Sequence, residues 1–127
     1  MQEKRGGLAD INLGRLEIWR EAIELAEAIY RFTRDWPEPE RYGLTAQCRR
    51  AAASVPANIA EGVGRNSPAE RSRFGRIALG SLYELGTLLE LARRLGFMAT
   101  RDFDAIDGKI SRLAKRLQAY VLHWREA

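Results

Sequence analysis

The chain has 127 residues, 46% of them hydrophobic, which suits one domain with its own core and excludes a chain too polar to fold. A formal charge of +4 and a pI near 9.6 allow an acidic partner without requiring one, and a single cysteine, Cys48, excludes an intramolecular disulfide or a cysteine metal cluster. No segment approaches the roughly 20 consecutive apolar residues of a membrane span, and no apolar run follows the basic residues of MQEKRGGLAD, so the expectation is a reduced, cytoplasmic protein with no membrane partner.

One domain is expected over 1–127, with 1–12 flexible. The spacing predicts a first helix from about Leu13 to Asp35, with Leu16, Trp19, Ile23, Ala26, Ile29 and Tyr30 on one face. Trp36-Pro37-Glu38-Pro39 ends it, because each proline lacks a donor and restricts the residue before it. A second helix runs from about Glu40 to the glycines Gly62 and Gly64, with Pro56 inside it. At 100° per residue its polar residues Gln47, Arg50, Ser54, Asn58 and Glu61 form one stripe. Leu44, Cys48, Ala51, Val55 and Ile59 form the apolar stripe beside it. The third side carries Ala46, Ala53, Ala57 and Ala60 in place of lysine and glutamate, and therefore expects another helix, from this chain or from a second copy.

Ser67-Pro68-Ala69-Glu70 is a capping box with proline at the first helical position, the clearest helix start in the chain. The third helix continues through Phe74, Ile77, Ala78, Leu82, Leu85, Leu89 and Ala92 to Leu95, where Gly96 stops it. Thr100 is placed to cap a fourth, with Phe103, Ile106, Ile110, Leu113, Leu117, Tyr120 and Trp124 inward. No strand alternation competes with this pattern. Short connections make neighbouring helices antiparallel, so the fold expected is an all-α, up-down-up-down four-helix bundle.

The strings ERYGLTAQCRRAAASVPANIAEGVGR and FGRIALGSLYELGTLLELARRLGF, together with LEIWREAIELAEAIYRFTRDWP upstream, resemble the small bacterial four-helix bundle proteins encoded in intervening sequences of 23S rRNA genes. The likeness spans about Leu16 to Phe97, and the run from Ser54 to Gly62, SVPANIAEG, is its most specific part; the fourth helix agrees only in character. Gly14-Arg15 departs from the family's usual pattern before Leu16, where Asp often stands. Members are similar in fold to the accessory protein of diversity-generating retroelements. The resemblance therefore implies a ring-like homo-oligomer, a pentamer, with nucleic acid and a reverse transcriptase or another ribonucleoprotein component as partners.

Little in the sequence supports catalysis. The only histidine, His123, stands beside Trp124 near the C-terminus, where a solvated or capping role is the ordinary one. No glutamate precedes it by three residues, so the Glu-x-x-His pairing of bundle metal sites is missing, and neither metal nor cofactor is expected. Glu61 and Glu84 are placed to meet across helices two and three, and with Arg50 and Asn58 they read as a structural hydrogen-bond network. Gly62-Val63-Gly64 before a capped helix has the character of a phosphate loop, although such glycines more often only terminate helices.

The basic residues suit binding better. Arg65, Arg71, Arg73 and Arg76 cluster from the loop into helix three, with Glu70 as the only acid among them. On helix four, Lys109, Arg112 and Arg116 share a face. Phosphate backbones attract such patches without base specificity, and a ring of subunits would multiply the field. Phe74 is the one aromatic near the first patch in sequence, and it reads as core. The function expected is a non-enzymatic accessory protein for RNA or DNA; the alternative is an oligomeric protein-interaction scaffold that binds no nucleic acid.

Overall fold

A computed structural model describes residues 13 and 16–127, so the expectation for 1–12 lies outside the described residues. The chain is all-α: α1 (Glu17–Phe32), α2 (Leu44–Arg65), α3 (Pro68–Arg94) and α4 (Thr100–Arg125), with short 3-10 turns at Thr33–Asp35 and Glu38–Glu40 between α1 and α2. One apolar core joins all four helices, with Ile29, Ile59, Leu82, Leu85, Leu89, Ile106, Leu113 and Leu117 fully enclosed.

Local chemistry accounts for most boundaries. The Ser67 Oγ accepts from the Glu70 amide at 3.1 Å and Pro68 occupies the first turn, so α3 begins where the capping box puts it. It ends at Arg94. Gly96 takes φ of 83°, its amide bonds the Arg93 carbonyl at 3.0 Å, and the Phe97 amide reaches back to Ala92 at 2.9 Å, the pair of bonds that closes a Schellman turn. Thr100, expected as a cap, is instead the first helical residue of α4. Ala99 holds the cap position without a side-chain bond, which leaves the first turn to its acidic residue Asp102.

Two further expectations are corrected. Gly62 and Gly64 do not stop α2, which runs through both to Arg65 and turns at Asn66 in the left-handed region, φ 55°. Gly62 is instead a close-approach position: a Cβ there would lie 3.0 Å from Phe74 Cβ and 3.1 Å from the Glu70 carbonyl oxygen. The face of α1 is also rotated by about one residue, 100°, from the one expected. Ile18, Ala22, Leu25 and Ile29 are buried, whereas Ile23 and Tyr30 are exposed. Both stripes of α1 are apolar, so its own sequence does not choose between them. Arg49 of α2 donates to the Thr33 hydroxyl at 2.9 Å and to the Tyr30 carbonyl at 3.3 Å and lies over the Tyr30 ring, while Arg116 of α4 bonds Glu17 and Glu21.

Contacts between neighbouring helices fix their register. Ser54 meets Ser81 at 2.7 Å and Gly62 rests on Phe74, so numbers fall along α3 as they rise along α2. Between α3 and α4, the Ser72 hydroxyl donates to the Val121 carbonyl at 3.0 Å, and a Cβ on Gly75 would come within 2.9 Å of Val121. Trp36, buried in the α1–α2 connection, packs on Phe97 in the α3–α4 connection with ring centroids 5.9 Å apart. That contact closes one end of the core. The α2–α3 turn, Leu16 and the last turns of α4 meet at the opposite end.

Candidate nucleic-acid interface

The α2–α3 turn delivers four arginines to that opposite end. Arg65 pairs with Glu61 at 3.0 Å and with Glu70 at 3.8 Å, Arg73 pairs with Glu70 at 3.2 Å, Arg71 donates to the Asn66 side chain at 3.2 Å, and Arg76 is exposed. Two carboxylates against four guanidinium groups leave the cluster cationic. These ion pairs are solvent-facing and individually worth only about 0 to 1 kcal/mol, so a phosphate can compete for the arginines.

Aromatic rings underlie the cluster. Arg65 and Arg73 lie over the buried Phe74 ring at 5.0 and 4.6 Å, and Arg71 lies over Trp124 at 4.6 Å. Trp124 meets Tyr120 and His123 edge-on, at 6.2 and 5.0 Å. Linear sequence hid the Arg71–Trp124 pairing, since the two are more than fifty residues apart. The signal that would have found it is register: an antiparallel α4 ending near Arg125 brings its last turns beside the first turns of α3. Burial pushes the Tyr120 hydroxyl pKa up, and the neighbouring Arg71 charge opposes this.

The α4 row has a different setting. Arg116 forks to Glu17 and Glu21 of α1, and Lys109 and Arg112 line a groove of about 250 Å³ that also holds Glu21 and Glu24. Lys109, Arg112 and Arg116 thus face an acidic helix of the same chain.

The polar stripe of α2 separates into two. Ser54 and Asn58 are half-buried: the Asn58 amide donates to the Ser54 carbonyl at 2.8 Å and to its hydroxyl at 2.9 Å, and that hydroxyl bonds Ser81 of α3. Gln47, Arg50 and Glu61 are exposed, as is Glu84 of α3. The expected network of Arg50, Asn58, Glu61 and Glu84 is therefore replaced by a smaller one of Ser54, Asn58 and Ser81, while Glu61 serves Arg65. Small neutral hydroxyls and an amide can sit at a helix–helix seam where a carboxylate would need a buried counter-charge.

On the alanine side of α2, Ala53 and Ala57 are exposed and Ala46 and Ala60 half-buried. Ile77 and Leu91 of α3 and Leu95, the residue that caps it, are 43%, 46% and 54% exposed. Cys48 lies in the core, where burial first and the Glu84 charge second push its thiol pKa up to about 12. Among the described residues no group of three or more His, Cys, Asp or Glu side chains is placed to hold a metal, and no helix is long and apolar enough to cross a membrane.

No curated protein matches the chain in sequence. Its fold is similar to that of a crystal structure of a protein with unknown function from the S23 ribosomal protein family of Bacteroides thetaiotaomicron VPI-5482, with a TM-score of 0.73 and 24% identity over 82% of this chain and 97% of that one. Residues 14–119 match the family described as 23S rRNA-intervening sequence protein, and the chain belongs to that family.

Proposed function

We propose that the protein is a non-enzymatic, cytoplasmic accessory protein that associates with RNA or DNA through the phosphate backbone. Its chain forms one antiparallel up-down-up-down bundle that assembles into a ring-like homo-oligomer, a pentamer, and a reverse transcriptase or other ribonucleoprotein component is its protein partner. The observation that carries the nucleic-acid reading is the excess of arginine at the α2–α3 turn, where among the described residues Arg65, Arg71, Arg73 and Arg76 are set against two acids, Glu61 and Glu70. The amides at the start of α3 add donors and a favourable dipole. Lys109, Arg112 and Arg116 are the second candidate row, weakened by the acids of α1.

Assembly is supported by Ala53 and Ala57 on the outer side of α2 and by the half-exposed Ile77 and Leu91 on α3 and Leu95 at its cap. The same surface favours the alternative, an oligomeric scaffold that binds no nucleic acid. Salt dependence separates the two. If the four arginines contact phosphates of a single strand, the slope of log K against log salt is about −2.8, a loss of roughly 50-fold between about 50 and 200 mM salt. Titrations at both salts with wild type and with all four arginines changed to Gln test this. Wild type that binds no RNA or DNA at low salt leaves only the scaffold.

A further inference from the structure

Beside the arginine cluster lies a pocket of about 300 Å³ lined by Leu16, Val63, Arg71, Tyr120 and Trp124. Its volume is at the lower end of the range for small-ligand sites, and its walls are apolar and aromatic apart from one guanidinium and one phenol. The Tyr120 hydroxyl is buried without a hydrogen-bond partner among the described residues, although buried hydroxyls are ordinarily paired. Arg71 holds the Trp124 face at 4.6 Å and otherwise contacts only the exposed Asn66 side chain, at 3.2 Å. A half-buried stacking contact of this kind can exchange for a charge-assisted bond to a phosphate.

We propose that this pocket seats one unpaired nucleobase, with Arg71 and its neighbours on the flanking phosphates, so that the nucleic acid bound at this end of the bundle is single-stranded. The proposal rests on the phosphate-binding reading above and adds to it the strandedness of the partner. Movement of Arg71 from the indole to a phosphate frees an aromatic face at the moment the backbone is gripped. Bases stack on such faces with little regard to sequence. A duplex cannot make this contact, because its bases are already stacked and paired.

The test is fluorescence anisotropy on the intact chain at low salt with three labelled probes of equal length: oligouridine, the same strand carrying abasic sites, and duplex RNA. Wild type should bind oligouridine roughly 5- to 100-fold more tightly than the abasic strand, the range expected for one stacked base, and more tightly than the duplex. Trp124→Leu should remove that preference and leave duplex affinity unchanged. Equal binding of oligouridine and abasic strand by wild type overturns the base seat while the phosphate reading stands, and this comparison needs no variant to fold. A preference for bases that survives Trp124→Leu places the base elsewhere and also overturns it. Failure of wild type to bind any probe removes both readings.

Discussion

Gly62 offers the sharpest test of how the arginine end is built. Adding a Cβ brings it to 3.0 Å from Phe74 Cβ, 3.1 Å from the Glu70 carbonyl oxygen and 3.2 Å from Arg71 Cα. Two of these three atoms are backbone, so no rotamer change relieves the contact; α2 and α3 must separate by a few tenths of an ångström. Overpacking of this kind costs about 1 to 3 kcal/mol, against which alanine recovers up to about 1 kcal/mol of helix propensity. Gly64, two residues on in the same helix, meets nothing within 4 Å and collects only the propensity gain. Gly64→Ala should therefore be neutral or stabilising, and Gly62→Ala should fall below it by about 1 to 3 kcal/mol. For a chain of this length that corresponds to roughly 3 to 10 °C between the two melting temperatures. Circular-dichroism melts of both variants decide it, and equal melting temperatures would refute the close approach. Because the displaced atoms belong to Glu70 and Arg71, Gly62→Ala should also weaken any ligand held by Arg71 more than Gly64→Ala does.

Other outcomes follow from single contacts. Asn58→Ala removes both bonds to Ser54 and should cost about 1 to 2 kcal/mol in a thermal melt, whereas Gln47→Ala, on the exposed part of the same stripe, should stay within about 0.5 kcal/mol. Hydrogen bonds from Arg93 and Arg94 hold the Glu90 carboxyl down to about 2; a depressed carboxyl stabilises the fold above its unfolded value and loses that contribution as pH falls through the folded one, so the melting difference between wild type and Glu90→Gln should be full at pH 6 and mostly lost by the time the pH has fallen to about 2. Cys48, buried and with its thiol pKa raised to about 12, should resist iodoacetamide at pH 8 until guanidinium unfolds the chain; rapid labelling of the native protein would contradict its place in the core. Ala57→Glu should convert the proposed oligomer to a helical monomer by light scattering, and a wild type already monomeric at micromolar concentration would end that proposal.

What could be read from the sequence was whatever depends on near neighbours in the chain. The Ser67–Glu70 box, the Gly96 stop and the core stripes of α3 and α4 rest on spacings of three and four residues, which helix geometry fixes without knowledge of the fold. Errors arose where two local patterns were equally good and a distant contact chose between them. On α1 either apolar stripe could have faced inward, and the buried one was settled by packing against distant segments, while Arg49 and Arg116, at sequence separations of 16 to 99 residues, bond its polar groups. Gly62 looks the same in sequence whether it ends a helix or admits Phe74 from the next one. On α2 the polar stripe was legible as a stripe, but the partition between Ser54, which bonds across the seam and is itself bonded by Asn58, and Arg50, which is exposed, depends on where Ser81 of α3 falls.

The same distinction bears on which basic patch can bind. By sequence, Lys109, Arg112 and Arg116 form as regular a cationic row as Arg65, Arg71, Arg73 and Arg76. In the fold the row on α4 lies against Glu17, Glu21 and Glu24 of α1, so a phosphate there would have to displace carboxylates that help to dock a helix. Near the other cluster, Glu61 pairs with Arg65 within α2 and Glu70 with Arg73 within α3, and of these pairs the long Arg65–Glu70 contact at 3.8 Å alone crosses between helices. Exchange of a partner costs little there, because both charges of each pair are already in water. The ring beneath supplies what surface arginines usually lack, a fixed base: Phe74 is buried, so Arg65 and Arg73, which lie over it, are held near their working positions before any ligand arrives. Less side-chain entropy is then lost on binding, which favours this end of the bundle over an equally charged but unsupported surface.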